Sequence, residues 1–326
     1  MGEEGYAVTD LAVSKIEDVQ LLCERIMASP VEGCLGLRLA GSRPDSLTLR
    51  MPIPAAESAH RREIGLVTVL AVLADVAGGL SVVVLQSAGL GAPTVELRID
   101  HAGPPAPEAR ELLAEATVSH TGPGVAYSMI TVRDDTGRLV ARGQGHYVRN
   151  DGIAPIDNIP GGPIAVDKRD RDRPEALLDD LTPLLPDTEP DTEPDTEPDT
   201  EPDPAEWRLP VTTRMANARR QVQGGVLLAI GQLAQRRAQL ATAGHLHPLS
   251  VQVEYLRPAP IEDPELTVRT AYVRRGRRFR TLRTELMRAD GRIATSITGL
   301  WLLGTGEWNE SQATGDANGS LIASNG

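Results

Sequence analysis

An acid in an apolar run is the first residue pattern here that could do chemistry. Leu66–Leu85 reads LVTVLAVLADVAGGLSVVVL, twenty residues that are apolar or small except for Asp75 near the middle. Burial disfavours the charged form of a carboxylate and raises its pKa. A carboxylate tuned in this way can act as a general base towards water or attack a carbonyl itself. A second pattern is Gly224-Gly225 at the start of QGGVLLAIGQLAQRRAQLATAG (Gln223–Gly244). A helix amino terminus offers free N–H groups and the positive end of a dipole to an oxyanion. Glycine there lets a ligand come close to the backbone. Plainer roles stand beside these: Asp75 as a satisfied buried acid, and the glycines as helix-entry residues.

The elements that carry these residues decide between membrane and soluble readings. Twenty apolar residues match the length of a bilayer-spanning helix, although a central acid costs about 2.5–3.5 kcal/mol on insertion scales. The second stretch ends in Gln235-Arg236-Arg237 and cannot span. The two stretches are counterparts in an internal repeat. IDHAGPP (Ile99–Pro105) lies 154 residues before VEYLRPA (Val253–Ala259). Thr121-Gly122 and Thr136-Gly137-Arg138 stand at the same offset from Arg275-Gly276 and Asp290-Gly291-Arg292. After each apolar stretch come four alternating segments that read as strands, with DDTG and ADG turns joining the last pairs as hairpins. One more strand precedes each stretch, SLTLRMPIP and EWRLPVT. The expectation is an α+β chain of two soluble domains, each a long helix wrapped by a curved antiparallel sheet, with no membrane span.

Composition fits that expectation. With 326 residues and 40% apolar content the chain can build two cores, and 3% aromatics makes those cores Leu, Val and Ala-rich. A net charge of −12 disfavours a nucleic-acid partner. Two cysteines, Cys23 and Cys34, make neither a disulfide framework nor a metal set and suit a reducing cytoplasm. Neither a signal peptide nor a metal or dinucleotide motif is visible. Four DTEP copies fill Asp187–Pro202. Proline at every fourth position with acids between predicts an extended, disordered insert. The expected domains are 13–150 and 207–305, joined by a linker over 151–206, with disordered ends at 1–12 and 306–326.

One long central helix, entered through a Gly-Gly segment and followed by YLRPA, an RRGRR turn and an ADGR hairpin, resembles the hotdog fold. The pattern is most similar to acyl-CoA thioesterases of the phenylacetate-pathway type, doubled in one chain over about 31–150 and 207–303. In that family an Asn precedes a helix-entry Gly by seven residues, and an acid follows eight residues later. The second half reads Asn217, Gly224, Gln232, with an amide in place of the acid; the first reads His60, Val67, Asp75. The family's His-Gly-Gly is Gln223-Gly224-Gly225 in one half and Leu66-Val67-Thr68 in the other.

Eight helical residues span about 12 Å, too far for one helix to supply both groups to one carbonyl. A site must therefore pair the amino end of one helix with the acid of the other. The pairing of Asp75 with Asn217 and Gly224 is complete; the pairing of Gln232 with His60 and Val67 lacks a base. The resemblance thus implies one working site per chain, without cofactor or metal. Asp75 is its base or nucleophile, Gly224 its oxyanion donor, and Asn217 its orienting amide, although Asn also commonly caps helices. Gly225 is expected to bind substrate, and Gly78 and Gly79 to make room for the acyl chain or the partner helix. Six arginines crowd YVRRGRRFRTLR (Tyr272–Arg283), and Arg275, Arg277 and Arg278 are expected to meet the phosphates of coenzyme A; a solvated turn is the alternative. The implied function is acyl-CoA hydrolysis. A non-catalytic acyl-CoA binding protein is the alternative, and an enoyl-CoA hydratase is disfavoured because no Asp–His pair follows that pattern. Homodimerisation of double-hotdog chains is a further expectation.

Overall fold

The computed structural model describes residues 24–86, 92–149, 161–185, 205–240 and 245–304. The first half runs α1 (Pro30–Cys34), β1 (Arg38–Ser42), β2 (Ser46–Pro52), α2 (Ala59–Gln86), β3 (Thr94–His101), β4 (Glu111–Gly122), β5 (Val125–Asp134) and β6 (Leu139–Val148). After α3 (Pro174–Leu181), the second half runs β7 (Ala205–Pro210), α4 (Gly224–Arg237), β8 (His245–Tyr255), β9 (Glu265–Arg275), β10 (Phe279–Met287) and β11 (Ile293–Gly304). Period-two alternation makes the strands: Ala126, Ser128, Ile130 and Val132 of β5 all turn inward. The DDTG and ADG turns close hairpins at Gly137 and Gly291, whose φ values of 91° and 77° favour glycine.

All eleven strands form one sheet in the order β1-β2-β4-β5-β6-β3-β8-β11-β10-β9-β7. The halves meet edge to edge where β3 pairs antiparallel with β8, Leu97 opposite Val253 and Ile99 opposite Val251. Arg98 pairs with Gln252. These positions differ by 252 − 98 = 154, the offset of the sequence repeat, so the repeat is a pseudo-two-fold axis that passes through this pair. Each half is a hotdog domain, its helix laid against its share of the sheet.

The two helices differ at their starts. In α4 the Gln223 side chain accepts the Val226 N–H and caps the helix at Gly224. In α2 the Ser58 hydroxyl accepts the Arg61 N–H, so the helix begins at Ala59, two turns before Val67. Over Ala59–Val84, α2 is long and apolar enough to cross a membrane, but 78% of an apolar 18-residue window within it is buried inside the protein. The helices cross in close contact: a Cβ on Gly225 would lie 2.4 Å from the Val72 Cα. The surrounding core is aliphatic, as the scarcity of aromatics requires, with Tyr147 as its largest fully buried side chain.

The expected linker is partly core. Leu177, Leu178 and Leu181 of α3 are buried. Asp179 pairs with Arg61 at 2.7 Å and Asp180 with Arg214 at 2.9 Å, which ties α3 to both halves. The free thiol of Cys34 is buried and donates to the Arg173 carbonyl. The apolar spacing of PEALLDDL carries a short amphipathic helix that the surrounding prolines and acids obscure. The DTEP copies, the expected disordered ends and Cys23 lie outside the described residues.

Candidate active site

Asp75 sits midway along α2 and is 8% exposed. Its Oδ1 accepts from Thr94 Oγ1 at 2.8 Å, and its Oδ2 accepts from Gln223 Nε2 at 3.0 Å. The Gly225 N–H is a third donor to this carboxylate. A Cβ on Gly224 would come within 2.7 Å of Asp75 Oδ2. The acid of one half therefore rests on the amino end of the other half's helix. Burial pushes its pKa up to about 6, and the donors Thr94, Gly225 and Gln223 hold it from rising further. The Gln223 amide is oriented by its two bonds, oxygen towards the Val226 N–H and nitrogen towards Asp75.

A cavity of about 500 Å³ opens beside this carboxylate. Val76, Gly79, Leu80 and Val83 of α2 give it an apolar wall, and Arg219 and Arg257 contribute charge. Tyr255 Oη donates to the Gly224 carbonyl at 2.8 Å and fixes the glycine end of the helix. A second acid, Glu32 of α1, lines the same cavity at 3% exposure. Ser29 Oγ lies within hydrogen-bond reach of both the Ile26 carbonyl and Glu32 Oε2. The Ser29 hydroxyl is a donor to Glu32 and favours its ionised form. Burial outweighs that bond and raises the Glu32 pKa to about 7.

The structure brings Asp75, Gly224, Asn217 and Gly79 to this cavity and corrects the expectation for several other residues. Gly78 gives its space to Tyr147, whose hydroxyl a Cβ would meet, and faces neither acyl chain nor partner helix. Gly225 gives its space to the Val72 backbone and is a helix-crossing residue, not a cavity wall. Asn217 Oδ1 accepts the Arg219 and Gln221 N–H groups at 2.8 and 3.2 Å, so this oxygen shapes the loop into α4. Arg275, Arg277 and Arg278 sit exposed at the β9–β10 turn and line neither cavity described here. Arg275 lies over the Tyr272 ring and Arg278 over Phe279. Arg219 and Arg257 are the arginines at the Asp75 cavity. Thr94, Gln223 and Glu32 were missed. Gln223 was legible as the polar residue before Gly-Gly, whereas Thr94 and Glu32 depend on tertiary packing.

The pseudo-two-fold axis generates a second cavity, about 870 Å³, around Gln232 and Val67. Here Pro248 stands where Thr94 stands in the first (248 − 94 = 154), and Gly103 where Arg257 stands (257 − 103 = 154). Val67 is eight residues inside α2, where the helical ladder takes its N–H. This cavity has an amide at the position equivalent to Asp75 and no open helix end, and the carboxylate that lines it, Glu63, is paired with Arg236 at 3.0 Å.

Residues 212–303 match the family model described as the acyl-CoA thioesterase N-terminal domain, and residues 68–141 match the thioesterase superfamily. No curated protein is similar to the chain in sequence. Among solved structures, the chain is similar to the tesB protein of Mycobacterium avium subspecies paratuberculosis, at 10% identity and a TM-score of 0.51, covering 85% of this chain and 100% of that one. The acyl-CoA thioesterase II TesB2 of Mycobacterium marinum follows at 9% and 0.49, covering 86% and 99%. A hotdog-fold protein of Alicyclobacillus acidocaldarius matches at 11% and 0.49, covering 85% and 98%. The first of these likenesses is one of fold.

Proposed function

Both halves of the chain carry a thioesterase domain of the hotdog fold, and from that premise we propose that the protein hydrolyses acyl-CoA thioesters at one composite site. Asp75 of the first domain and Gln223 and Gly224 of the second build it. The observation that carries this reading is the seating of the Asp75 carboxylate on the amino end of α4, hydrogen-bonded to Gln223 at 3.0 Å, beside a cavity.

Asp75 takes a proton from a water whose oxygen attacks the thioester carbon. The resulting oxyanion is held by the Gly224 N–H, the first-turn donor that neither Asp75 nor the Gln223 side chain uses. Collapse breaks the carbon–sulfur bond, the departing thiolate takes the proton from Asp75, and the acid product leaves. Direct attack by Asp75 fits less well, because both carboxylate oxygens are already held by donors. Arg219 and Arg257 supply cations for the coenzyme A phosphates.

The test follows free thiol released from a panel of acyl-CoAs. Asp75→Asn is expected to lower kcat about 10³-fold, while Gln232→Ala keeps it. Full activity in Asp75→Asn overturns the assignment, and ligand binding without thiol release from the wild-type protein makes it a binding protein instead. Single turnover in ¹⁸O-labelled water distinguishes attack by water from attack by Asp75, since only the latter puts label into the protein.

A further inference from the structure

The Gln232 cavity is about 870 Å³ against about 500 Å³ for its Asp75 counterpart. We propose that it holds a second acyl-thioester ligand without hydrolysing it, a reading that rests on the acyl-CoA substrate proposed above.

Three features argue for this occupant. The first is descent from the same geometry. Each cavity lies between one helix and the strand-end segment of the β3 or β8 repeat: Gly103-Pro104-Pro105 lines one, and Arg257-Pro258-Ala259, 154 residues later, lines the other. A ligand shape accepted by one is presented with a similar frame by the other.

The second is the character of the walls. Leu66, Leu70, Leu112 and Trp301 give apolar area suited to an acyl chain. Polar side chains share the wall: Gln232 is 3% exposed with its Nε2 3.5 Å from His101 Nε2, and Arg62, His247 and the Arg236–Glu63 pair (3.0 Å) line it as well. The Gln232 amide carries two N–H groups, and at 3.5 Å the His101 ring engages one of them only weakly, which leaves donor capacity for a thioester carbonyl. Burial lowers the His101 pKa to about 4, which keeps the ring neutral near pH 7. The Gln232 amide and the neutral His101 imidazole suit the neutral carbonyl of a thioester.

The third is the absence of the means to hydrolyse. Activation of water needs a base at the Gln232 position, and the amide is none; the carboxylate that lines this cavity, Glu63, is held by Arg236 at 3.0 Å. Oxyanion capture needs an unspent N–H at Val67, and the helical ladder has taken it.

The experiment counts ligands per chain by calorimetry. Its probe is a ketone analogue of an acyl-CoA, with a methylene between sulfur and carbonyl so that it resists hydrolysis. The wild-type protein is expected to bind two per chain. Val67→Trp, which fills the Gln232 cavity, is expected to bind one and to keep thiol release within about twofold. Gly79→Leu, which crowds the Asp75 cavity, is expected to bind one and to lose hydrolysis. Gln232→Leu removes the amide without adding bulk and is expected to weaken the second ligand at least fivefold, which keeps the test open should Val67→Trp misfold. One ligand per chain that disappears in Gly79→Leu and is untouched by Val67→Trp and Gln232→Leu overturns the second site and leaves the proposed function standing. One ligand that disappears in Val67→Trp and persists in Gly79→Leu sustains the second site and removes the Asp75 cavity as the acyl site. No binding and no hydrolysis overturns both.

Discussion

Gln223 Nε2 donates to Asp75 Oδ2 at 3.0 Å across 148 residues of chain, while Gln223 Oε1 accepts the Val226 N–H at 3.0 Å. One amide thus caps the helix of the second domain and fixes the acid delivered by the first. Because this bond favours the ionised carboxylate, it holds the Asp75 pKa below the value that burial alone would set. The proposed base works only when deprotonated, so kcat of the wild-type protein is expected to fall below about pH 6. Gln223→Leu keeps the bulk and removes both bonds. Its acid limb is expected to move to higher pH, and its kcat at pH 8 to fall about tenfold or more, a loss on the order of 1.4 kcal/mol or more in the barrier. A pH–rate profile with an unmoved limb sinks this role.

Glu32 makes a separate pH prediction, read as stability. Its folded pKa is raised to about 7 from 4.5 by burial. Between those values the folded chain holds a proton that the unfolded chain has lost, so stability falls as pH rises through this window. The favourable contribution is complete below about 4.5 and gone above about 7. Glu32→Gln keeps a hydrogen-bonding partner for Ser29 and has nothing to ionise. The variant is expected to gain on the wild type by up to ~3 kcal/mol at pH 8 and to match it near pH 5. Denaturant midpoints at the two pH values check this, and an equal difference at both pH values contradicts it.

The arginines divide by position. Arg219 and Arg257 line the Asp75 cavity, whereas Arg275, Arg277 and Arg278 line neither cavity. Arg257→Ala is expected to raise KM for acyl-CoA about five- to tenfold with kcat little changed, the signature of a uniform binding contact. The triple change of Arg275, Arg277 and Arg278 to Ala is expected to leave KM within about twofold. Steady-state kinetics in low salt checks both, and the reverse pattern returns the nucleotide to the β9–β10 turn.

What the sequence made legible was whatever repeats. The 154-residue offset locates equivalent strands and turns, and the structure places Arg98 against Gln252 at that spacing. Asp75 and Gly224 stand out because an acid in an apolar run and a Gly-Gly before one are local patterns. Thr94 and Glu32 were illegible because their positions depend on packing: Thr94 opens β3, and Glu32 sits in a five-residue helix. The arginine turn shows its charge density in the sequence, but not that it lines neither cavity. Gly78 is similar in this respect, since nothing local says that Tyr147 needs its space.

Adjacent glycines at the start of α4 separate chemistry from fold. A Cβ on Gly224 would lie 2.7 Å from Asp75 Oδ2, the end of a side chain that can turn aside. A Cβ on Gly225 would lie 2.4 Å from the Val72 Cα and 2.6 Å from the Ala71 carbonyl, backbone atoms of a buried helix that cannot yield singly. Gly224→Ala is therefore expected to fold, with a denaturant midpoint close to the wild type, and to lose about 10²-fold or more in kcat as Asp75 is pushed off the helix end. Gly225→Ala is expected to lose about 3 kcal/mol or more of stability, at or beyond the upper end of ordinary overpacking, because two helices must separate. Denaturation and thiol release measured on both variants check the pair. A stable, active Gly225→Ala means the helices do not cross backbone to backbone, and an active Gly224→Ala means Asp75 does not work at that helix end.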